Sequence, residues 1–202
     1  SNGLIAYQYF PDTYVSSARL FPWQFYPQTQ KKGFILDARS NGGGLDPDIF
    51  LNRFTKKVLA YWTRRYSQDQ TSPAIVTRAH TVCLTDHNAG SGGDQFPYDF
   101  KNMGLGPVIG TRTWGGLVGI SAYYLLVDGG HVTVPDYRVY NTEGEWVVEN
   151  VGFVPDIIVE LHPAEMERGY DAQLHKAIEV LMQKIEEEPL KHPEHEPFPI
   201  RN

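Results

Sequence analysis

Residues 81–93 read Thr-Val-Cys-Leu-Thr-Asp-His-Asn-Ala-Gly-Ser-Gly-Gly, and this stretch decides how the chain folds. The run 81–85 is short, apolar and β-branched, which predicts a buried strand. A glycine-rich turn ends the strand, and a helix is expected next because Phe96, Phe100 and Met103 recur on one helical face. A strand that leads through a tight turn into a helix is the repeating unit of α/β folds.

The same succession occurs earlier in the chain. Residues 34–38 form a short apolar run before the triplet 42–44, Gly-Gly-Gly, which predicts a second buried strand and turn. Asp46 is suited to cap a helix and Pro47 to occupy its first turn. Spacings of three and four then predict one amphipathic helix, followed by a polar linker over residues 67–72. The apolar face of this helix is Phe50, Leu51, Phe54, Val58, Tyr61 and Trp62.

The second half of the chain supplies further strands and one more helix. Residues 107–110, 121–127 and 131–134 are strand candidates, and glycines 129–130 predict a turn between the last two. A final helix is expected after an Asp171 cap. Its apolar face is Leu174, Ile178, Leu181 and Ile185. The proline- and charge-rich tail 189–202 is expected to be extended or frayed. The whole pattern predicts a single α/β domain.

Composition excludes several classes of protein. The chain has 202 residues and 41% hydrophobic residues, which suits one domain with a real core rather than a disordered chain. A net charge of −6 opposes non-specific binding to nucleic acid. No apolar run approaches the roughly 18 residues that span a bilayer. The single cysteine, Cys83, cannot form an internal disulfide and is expected to be a small buried hydrophobe; no metal or cofactor is expected.

Ser91 is the candidate nucleophile. Small residues on both sides of it let the backbone turn sharply between strand and helix, which leaves a hydroxyl exposed at the corner. The N-terminus of the following helix directs free N–H groups toward an oxyanion that forms there. The loop 40–44 offers flexible amides for a second hydrogen bond. Each loop by itself also fits an ordinary turn or helix cap, and neither is a phosphate-binding loop because no Lys-Ser or Lys-Thr pair follows.

Four motifs in order resemble a known family. They are residues 37–44 (Asp-Ala-Arg-Ser-Asn-Gly-Gly-Gly), 88–94 (Asn-Ala-Gly-Ser-Gly-Gly-Asp), 110–116 (Gly-Thr-Arg-Thr-Trp-Gly-Gly) and 149–156 (Glu-Asn-Val-Gly-Phe-Val-Pro-Asp). Together they resemble the second catalytic-core subdomain of tricorn-type serine proteases, within the tail-specific, or C-terminal-processing, peptidase family. Residues 3–13 resemble its opening strand. We therefore expect a catalytic-core subdomain over residues 3–187 and a tail over 188–202.

The resemblance implies a layered α/β fold similar to the Clp protease and crotonase superfamily, and it implies roles for particular residues. Ser91 would be the nucleophile. The oxyanion hole would consist of the backbone N–H of Gly92 and one N–H of the Gly43-Gly44 turn. Gly44 is the preferred donor of that turn. Glu149 matches the acidic member of the tricorn tetrad, which orients the histidine; a plain surface carboxylate is the alternative.

The resemblance also indicates that the general base lies outside this chain. Tail-specific proteases use a lysine at the position that Gly116 occupies here, so a histidine base is required. In tricorn-type enzymes this histidine comes from an earlier subdomain, which a PDZ domain separates from the present one, and nothing here matches either. His87 is nearest to Ser91 in sequence but is expected to flank the turn. The fragment alone is therefore expected to be nearly inactive.

The expected partners follow from the same resemblance. The substrate would be a peptide or an unfolded protein, bound in a groove that Trp114, Gly115 and Gly116 line; a core position for Trp114 is the alternative. Substrate specificity stays open. In tricorn-type enzymes an acid in the segment that corresponds roughly to residues 62–73 selects basic residues; here Asp69 is the only carboxylate of that segment, its spacing does not match, and Arg64-Arg65 would favour acidic groups. The resemblance implies a hexameric ring, although a fragment could stop short of it.

Two other functions remain open at this point. An α/β-hydrolase would use Ser91 with Asp156 and either His162 or His175, but residue 89 is Ala where the nucleophile motif has its first glycine. A non-catalytic peptide-binding or assembly module would keep the fold and lack the base. No signal segment is visible, and Ser1-Asn2 is typical of a cleavage remnant, so we expect a parent protein that begins upstream. A cytoplasmic location is the working expectation, with the periplasm or secretion also open.

Overall fold

A computed structural model describes residues 1–120 and 122–200. Its strands are β1 (Ile5–Tyr9), β2 (Gly33–Asp37), β3 (Ala60–Arg64), β4 (Ser67–Ser72), β5 (His80–Thr85), β6 (Val108–Gly110), β7 (Ala122–Leu125), β8 (His131–Val134) and β9 (Ile157–Ile158). Its α-helices are α1 (Val15–Phe25), α2 (Asp48–Leu51), α3 (Gly92–Asn102), α4 (Pro163–Glu167) and α5 (Ala172–Glu187). Five strands form one parallel sheet in the order β1-β2-β5-β6-β9, while β3-β4 and β7-β8 are separate antiparallel pairs.

Helices cover both faces of the parallel sheet, which explains why its central strands are apolar throughout. On one face, Phe34 and Leu36 of β2 pack in an aromatic cluster with residues of α1 and α3. On the other face, Ile35 and Val82 pack against Ala177 and Leu181 of α5. A parallel strand buried on both faces needs a continuous apolar run rather than an alternating one. The predicted α/β fold class is therefore confirmed.

Several predicted elements are present where the sequence placed them. The two buried runs are β2 and β5, and the helix after the second glycine turn is α3. Strands β7 and β8 form the expected hairpin; the first residue of the predicted strand, Ser121, lies outside the described residues. Asp171 caps α5 by accepting a hydrogen bond from the backbone N–H of Leu174 at 2.9 Å. Cys83 is fully buried, and this burial raises the pKa of its thiol.

The long helix predicted from Asp46 to Trp62 is wrong. Helix α2 ends at Leu51, and residues 60–64 instead form β3, which pairs antiparallel with β4 in the predicted linker 67–72. The predicted spacing matches buried positions as far as Phe54, which is buried in the core but lies in the turns that follow α2. Beyond it, Tyr61 and Thr63 are half-buried whereas Trp62 is exposed, which is the period of two typical of a strand.

Side chains hold part of the tail against the β3-β4 hairpin. No regular secondary structure occurs in residues 189–200. The His192 ring lies 2.9 Å from a carboxylate oxygen of Asp69 and packs edge-on against Tyr61. The guanidinium of Arg78 donates a hydrogen bond to the carbonyl of Lys191. In the described part of the chain, no helix combines the length and the apolar character needed to cross a membrane.

A buried ion-pair network joins the end of β2 to the start of α5. The Arg39 guanidinium lies 2.6 Å from a carboxylate oxygen of Asp37 and 2.8 Å from one of Asp171. The hydroxyl of Tyr7 donates to Asp37 at 2.7 Å. Because the Asp37 side chain is only 2% exposed, its charge depends on these partners.

Replacing Arg39 with Met should therefore destabilise the fold. The substitution leaves the Asp37 carboxylate buried without a cation, and we expect the free energy of unfolding to fall by about 3 kcal/mol. Urea denaturation followed by circular dichroism measures the loss. Arg53→Met, at an exposed position, is the matched control and should change stability by less than about 0.5 kcal/mol. Equal losses in the two variants would contradict the role given to Arg39.

Candidate active site

Ser91 stands at the corner between the loop after β5 and helix α3. Its backbone φ is 56°, in the left-handed region that a non-glycine residue enters only when its surroundings impose it. Its N–H lies 3.0 Å from the carbonyl oxygen of Gly116 and 2.9 Å from a carboxylate oxygen of Asp94. The side chain is half-buried, so the hydroxyl is neither enclosed in the core nor on an open surface.

The first glycine loop touches the Ser91 side chain. A Cβ added at Gly43 would lie 2.6 Å from Cβ and 3.0 Å from Oγ of Ser91, so only glycine allows this approach. Gly44 is also close to the start of α3. Its nitrogen lies 3.1 Å from the position that a Cβ at Gly92 would occupy. The structure thus brings both predicted glycine corners to the serine.

The amides of Gly44 and Gly92 are free to donate. The Gly43 N–H is already bonded to the side-chain oxygen of Asn41 at 2.9 Å. Within residues 1–120 and 122–200, the Gly44 and Gly92 N–H groups make no hydrogen bond. Two unpaired donors beside a serine hydroxyl are what an oxyanion requires.

Two residues, Asp86 and Asn41, hold the glycine loops in register. Asp86 accepts from the Ser40 N–H at 2.7 Å and from the Ala89 N–H at 3.1 Å, so one carboxylate bonds both loops. Asn41 is fully buried. Its side-chain NH2 donates to the Phe10 carbonyl at 2.8 Å, and its main-chain carbonyl accepts from the Gly90 N–H at 3.0 Å. Neither role is predicted from the sequence.

A cleft of about 470 Å³ opens beside Ser91. It brings together five residues singled out from the sequence: Ser91, Trp114, Gly115, Gly116 and Glu149. Trp114 is 66% exposed, so its indole lines the cleft and is not a core residue. The ring lies against Gly90 and Gly116, where a Cβ would collide with it, and this contact explains why both positions are glycine.

Glu149 occupies the wall of the cleft. One of its carboxylate oxygens, Oε2, accepts from the N–H groups of Leu117 and Val118, each at 2.7 Å. Its neighbours Val148 and Asn150 both have positive φ, at 67° and 65°, so the segment is held in an unusual conformation. The other carboxylate oxygen has no partner within residues 1–120 and 122–200 and can accept a further hydrogen bond.

No histidine or lysine lines the cleft in the described part of the chain. The seven histidines all lie elsewhere; His87 is exposed, while His175 is bonded to the Asp171 carbonyl and stacked on Tyr170. Asp156, which the hydrolase alternative needs beside Ser91, pairs instead with Lys101 at 2.6 Å and accepts from the Val108 N–H. That alternative triad is therefore not assembled. Among the described residues no group of three or more metal-ligating side chains occurs.

Comparison with known proteins agrees with this geometry. A parallel α/β sheet that presents a serine at a strand-to-helix corner, beside a glycine loop, is an architecture of enzymes that use a serine nucleophile. More particularly, residues 3–159 match the family model of peptidase family S41, and the chain belongs to that family.

Curated relatives of the chain include tricorn proteases and tricorn protease homologs. The chain is 36% identical over 186 residues to the tricorn protease of Thermoplasma volcanium, and 33% identical over 185 residues to the tricorn protease homolog of Saccharolobus solfataricus. These matches take in 92% of this chain in both cases, but they cover 18% and 17% of the relatives. The chain thus spans less than a quarter of the length of the curated relatives that it matches.

Solved structures give the same result. The crystal structure of the tricorn protease superposes with a TM-score of 0.86 at 34% identity, over 92% of this chain and 18% of that one. The photosystem II D1 C-terminal processing protease shares the fold, with a TM-score of 0.57 at 20% identity over 88% of this chain and 46% of that one. The family resemblance drawn from the four motifs is confirmed.

A carboxylate on α3 gives a pH dependence that can be measured. Burial, together with the charge of nearby Asp46, raises the pKa of Asp99 to about 6. The folded state therefore binds more protons than the unfolded state between about pH 4 and pH 6, and stability falls as pH rises through this window. Asp99→Asn should unfold at a higher temperature than the wild type at pH 7.5, and the difference should vanish below pH 4.

Thermal unfolding followed by circular dichroism from pH 4 to pH 8 tests this prediction. Glu186→Gln removes an exposed carboxylate of α5 and serves as the control, which should leave the profile unchanged. A constant difference between Asp99→Asn and the wild type at all pH values would contradict the raised pKa.

Proposed function

We propose that this chain is the nucleophile-bearing catalytic core of a serine endopeptidase, spanning residues 3–187, with Ser91 as the attacking group. The observation that carries the proposal is the meeting of the two glycine loops at Ser91, which leaves the Gly44 and Gly92 amides unpaired beside its side chain. Membership of peptidase family S41 supports the same reaction class.

The reaction would proceed by acyl transfer. Ser91 Oγ attacks the carbonyl carbon of the scissile peptide bond, and its proton passes to a base. The carbonyl oxygen becomes an oxyanion, which the Gly44 and Gly92 N–H groups stabilise; one such donor typically contributes about 10²–10³ in rate. The amine leaves with a proton returned by the base, and water then hydrolyses the acyl-enzyme by the same steps in reverse.

The base in this proposal is a histidine from outside the 202 residues, carried by an upstream subdomain of a parent chain that also contains a PDZ domain. Three observations support it: no histidine or lysine lines the cleft in the described residues, Glu149 has an oxygen free to orient an incoming imidazole, and the relatives are much longer chains. Without a base the hydroxyl stays protonated, and about 10²–10⁴ in rate is lost.

The proposed substrate is a peptide or an unfolded protein. The cleft beside Ser91 is open and has an exposed indole along one wall, which suits an extended chain rather than a small enclosed ligand. Trp114 would contact the substrate, and the backbone of Gly115 and Gly116 would lie beside it. A hexameric assembly of the complete protein belongs to the same proposal and rests on the tricorn relatives.

A second candidate is a non-catalytic peptide-binding or assembly module, which the lack of a base at the cleft favours. The two functions predict opposite results with a serine-directed probe. A catalytic core keeps a serine that can be made reactive, whereas a binding module has no need of unpaired amides at Ser91.

Ser91→Ala tests the nucleophile. In the full-length gene product, we expect a fluorophosphonate probe to label the wild type and to leave Ser91→Ala unlabelled, with peptide hydrolysis lost in parallel. Ser16→Ala, at an exposed serine, is the matched control and should keep both signals. Full labelling of Ser91→Ala, or no labelling of the wild type, would remove the catalytic proposal and leave the binding module.

Imidazole added in solution tests the missing base. With residues 1–202 alone, labelling of Ser91 should be slow, and it should accelerate in proportion to the concentration of neutral imidazole. The rate should therefore rise with pH near the pKa of imidazole. Mass spectrometry of the labelled peptide measures it, with Ser91→Ala as the blank. Fast labelling without imidazole would show that the chain supplies its own base.

A further inference from the structure

Asp94 is a fully buried carboxylate near the candidate nucleophile. It accepts three backbone hydrogen bonds: from Ser91 at 2.9 Å, from Gly115 at 2.7 Å and from Gly116 at 3.0 Å. No cation pairs with it in residues 1–120 and 122–200. The charge is therefore stabilised by amide dipoles alone, at the N-terminal turn of α3.

These partners are more than a helix cap requires. A carboxylate in the first turn normally bonds the amide of the cap residue, which here is Ser91. The other two amides belong to a segment more than 20 positions away in sequence, and that segment forms the wall of the cleft. Asp94 thus ties the serine corner directly to the substrate side of the site.

Asp94 and Glu149 together hold four consecutive amides. Asp94 takes the N–H groups of Gly115 and Gly116, and Glu149 takes those of Leu117 and Val118. A turn whose every N–H points at a carboxylate has little freedom to move. The wall beside Ser91 is therefore held by two carboxylates.

The same contacts hold the strained backbone of Ser91. Its φ of 56° is costly for a residue with a side chain, and its N–H is satisfied jointly by Asp94 and by the Gly116 carbonyl, which Asp94 itself positions. If these bonds are lost, the corner can relax toward ordinary backbone angles. Relaxation would swing Oγ away from the Gly44 and Gly92 amides.

We propose that Asp94 is a positioning residue for the reaction, acting through the backbone of Ser91 and of the Gly115-Gly116 wall rather than by touching the substrate. The proposal rests on the proposed peptidase function. It predicts an effect on the chemical step that exceeds any effect on substrate affinity, because a displacement of about 1 Å in a reacting group can cost about 10² in rate.

Asp94→Asn tests the proposal in the full-length gene product. An amide offers one acceptor oxygen and turns an NH2 group toward a backbone N–H, so the three bonds cannot all be kept. We expect kcat for a fluorogenic peptide to fall about 30- to 100-fold. KM should change less than about threefold. The rate of fluorophosphonate labelling should fall in parallel with kcat.

Asp99→Asn is the matched control, because it makes the same change on the same helix without touching Ser91 or the cleft, and it should keep the wild-type kcat. All rates are measured per folded molecule, well below each variant's unfolding temperature, so that a loss of stability alone does not move them. If Asp94→Asn does not fold, Asp94→Glu replaces it. Glutamate keeps the capping pattern and the charge, but its extra methylene displaces the carboxylate from the three amides.

The outcomes separate the two proposals. A kcat within about twofold of the wild type in the folded Asp94 variant, with Ser91→Ala inactive, overturns the positioning role and leaves the peptidase function standing. Activity that survives Ser91→Ala overturns the peptidase function itself. A fall in kcat for Asp94→Asn alone, with Asp99→Asn unaffected, supports the positioning role.

Discussion

The hydrogen bonds between the loop after β2 and the loop after β5 are the constraint on which the site depends. Neighbouring parallel strands end at the same edge of the sheet, so their loops meet there, but contact alone does not fix their spacing. Two bonds across the gap do: the Asp86 carboxylate accepts from the Ser40 N–H, and the main-chain carbonyl of Asn41 accepts from the Gly90 N–H. Because both residues are buried, water does not compete for these bonds.

Close approach explains the glycines of the site better than flexibility does. At positions 43, 90 and 116 a Cβ would meet Ser91 or the Trp114 ring, so the absence of a side chain is a packing requirement. The strained conformation of Ser91 occurs at the same corner. Strain of this kind persists only when the surrounding bonds over-determine the backbone, and here two glycine loops and a buried carboxylate do so.

Elements and site residues with a local sequence signal are predicted correctly, whereas those that depend on contacts distant in sequence are not. Strands β2 and β5 are visible as apolar runs, and Ser91 as a hydroxyl between small residues. Strand β3 was mistaken for helix because its aromatic residues continue a helical spacing by coincidence, and helix α1 was not predicted, although Asp12 accepts from the amides of Ser16 and Ser17 at its start. Asp94 was quoted in a motif but given no role, since two of its partners are distant in sequence.

The Arg39–Asp171 ion pair and the packing of α5 make residues beyond the family match part of the folded domain. The family match ends at residue 159, yet one face of the sheet is covered by α5, through Ala177 and Leu181. A fragment cut at the family boundary would leave Ile35 and Val82 in water and Arg39 without Asp171. The smallest independently stable unit is therefore larger than the region in which homology is recognised, and the C-terminal helix is as much a part of the domain as the strands that carry the chemistry.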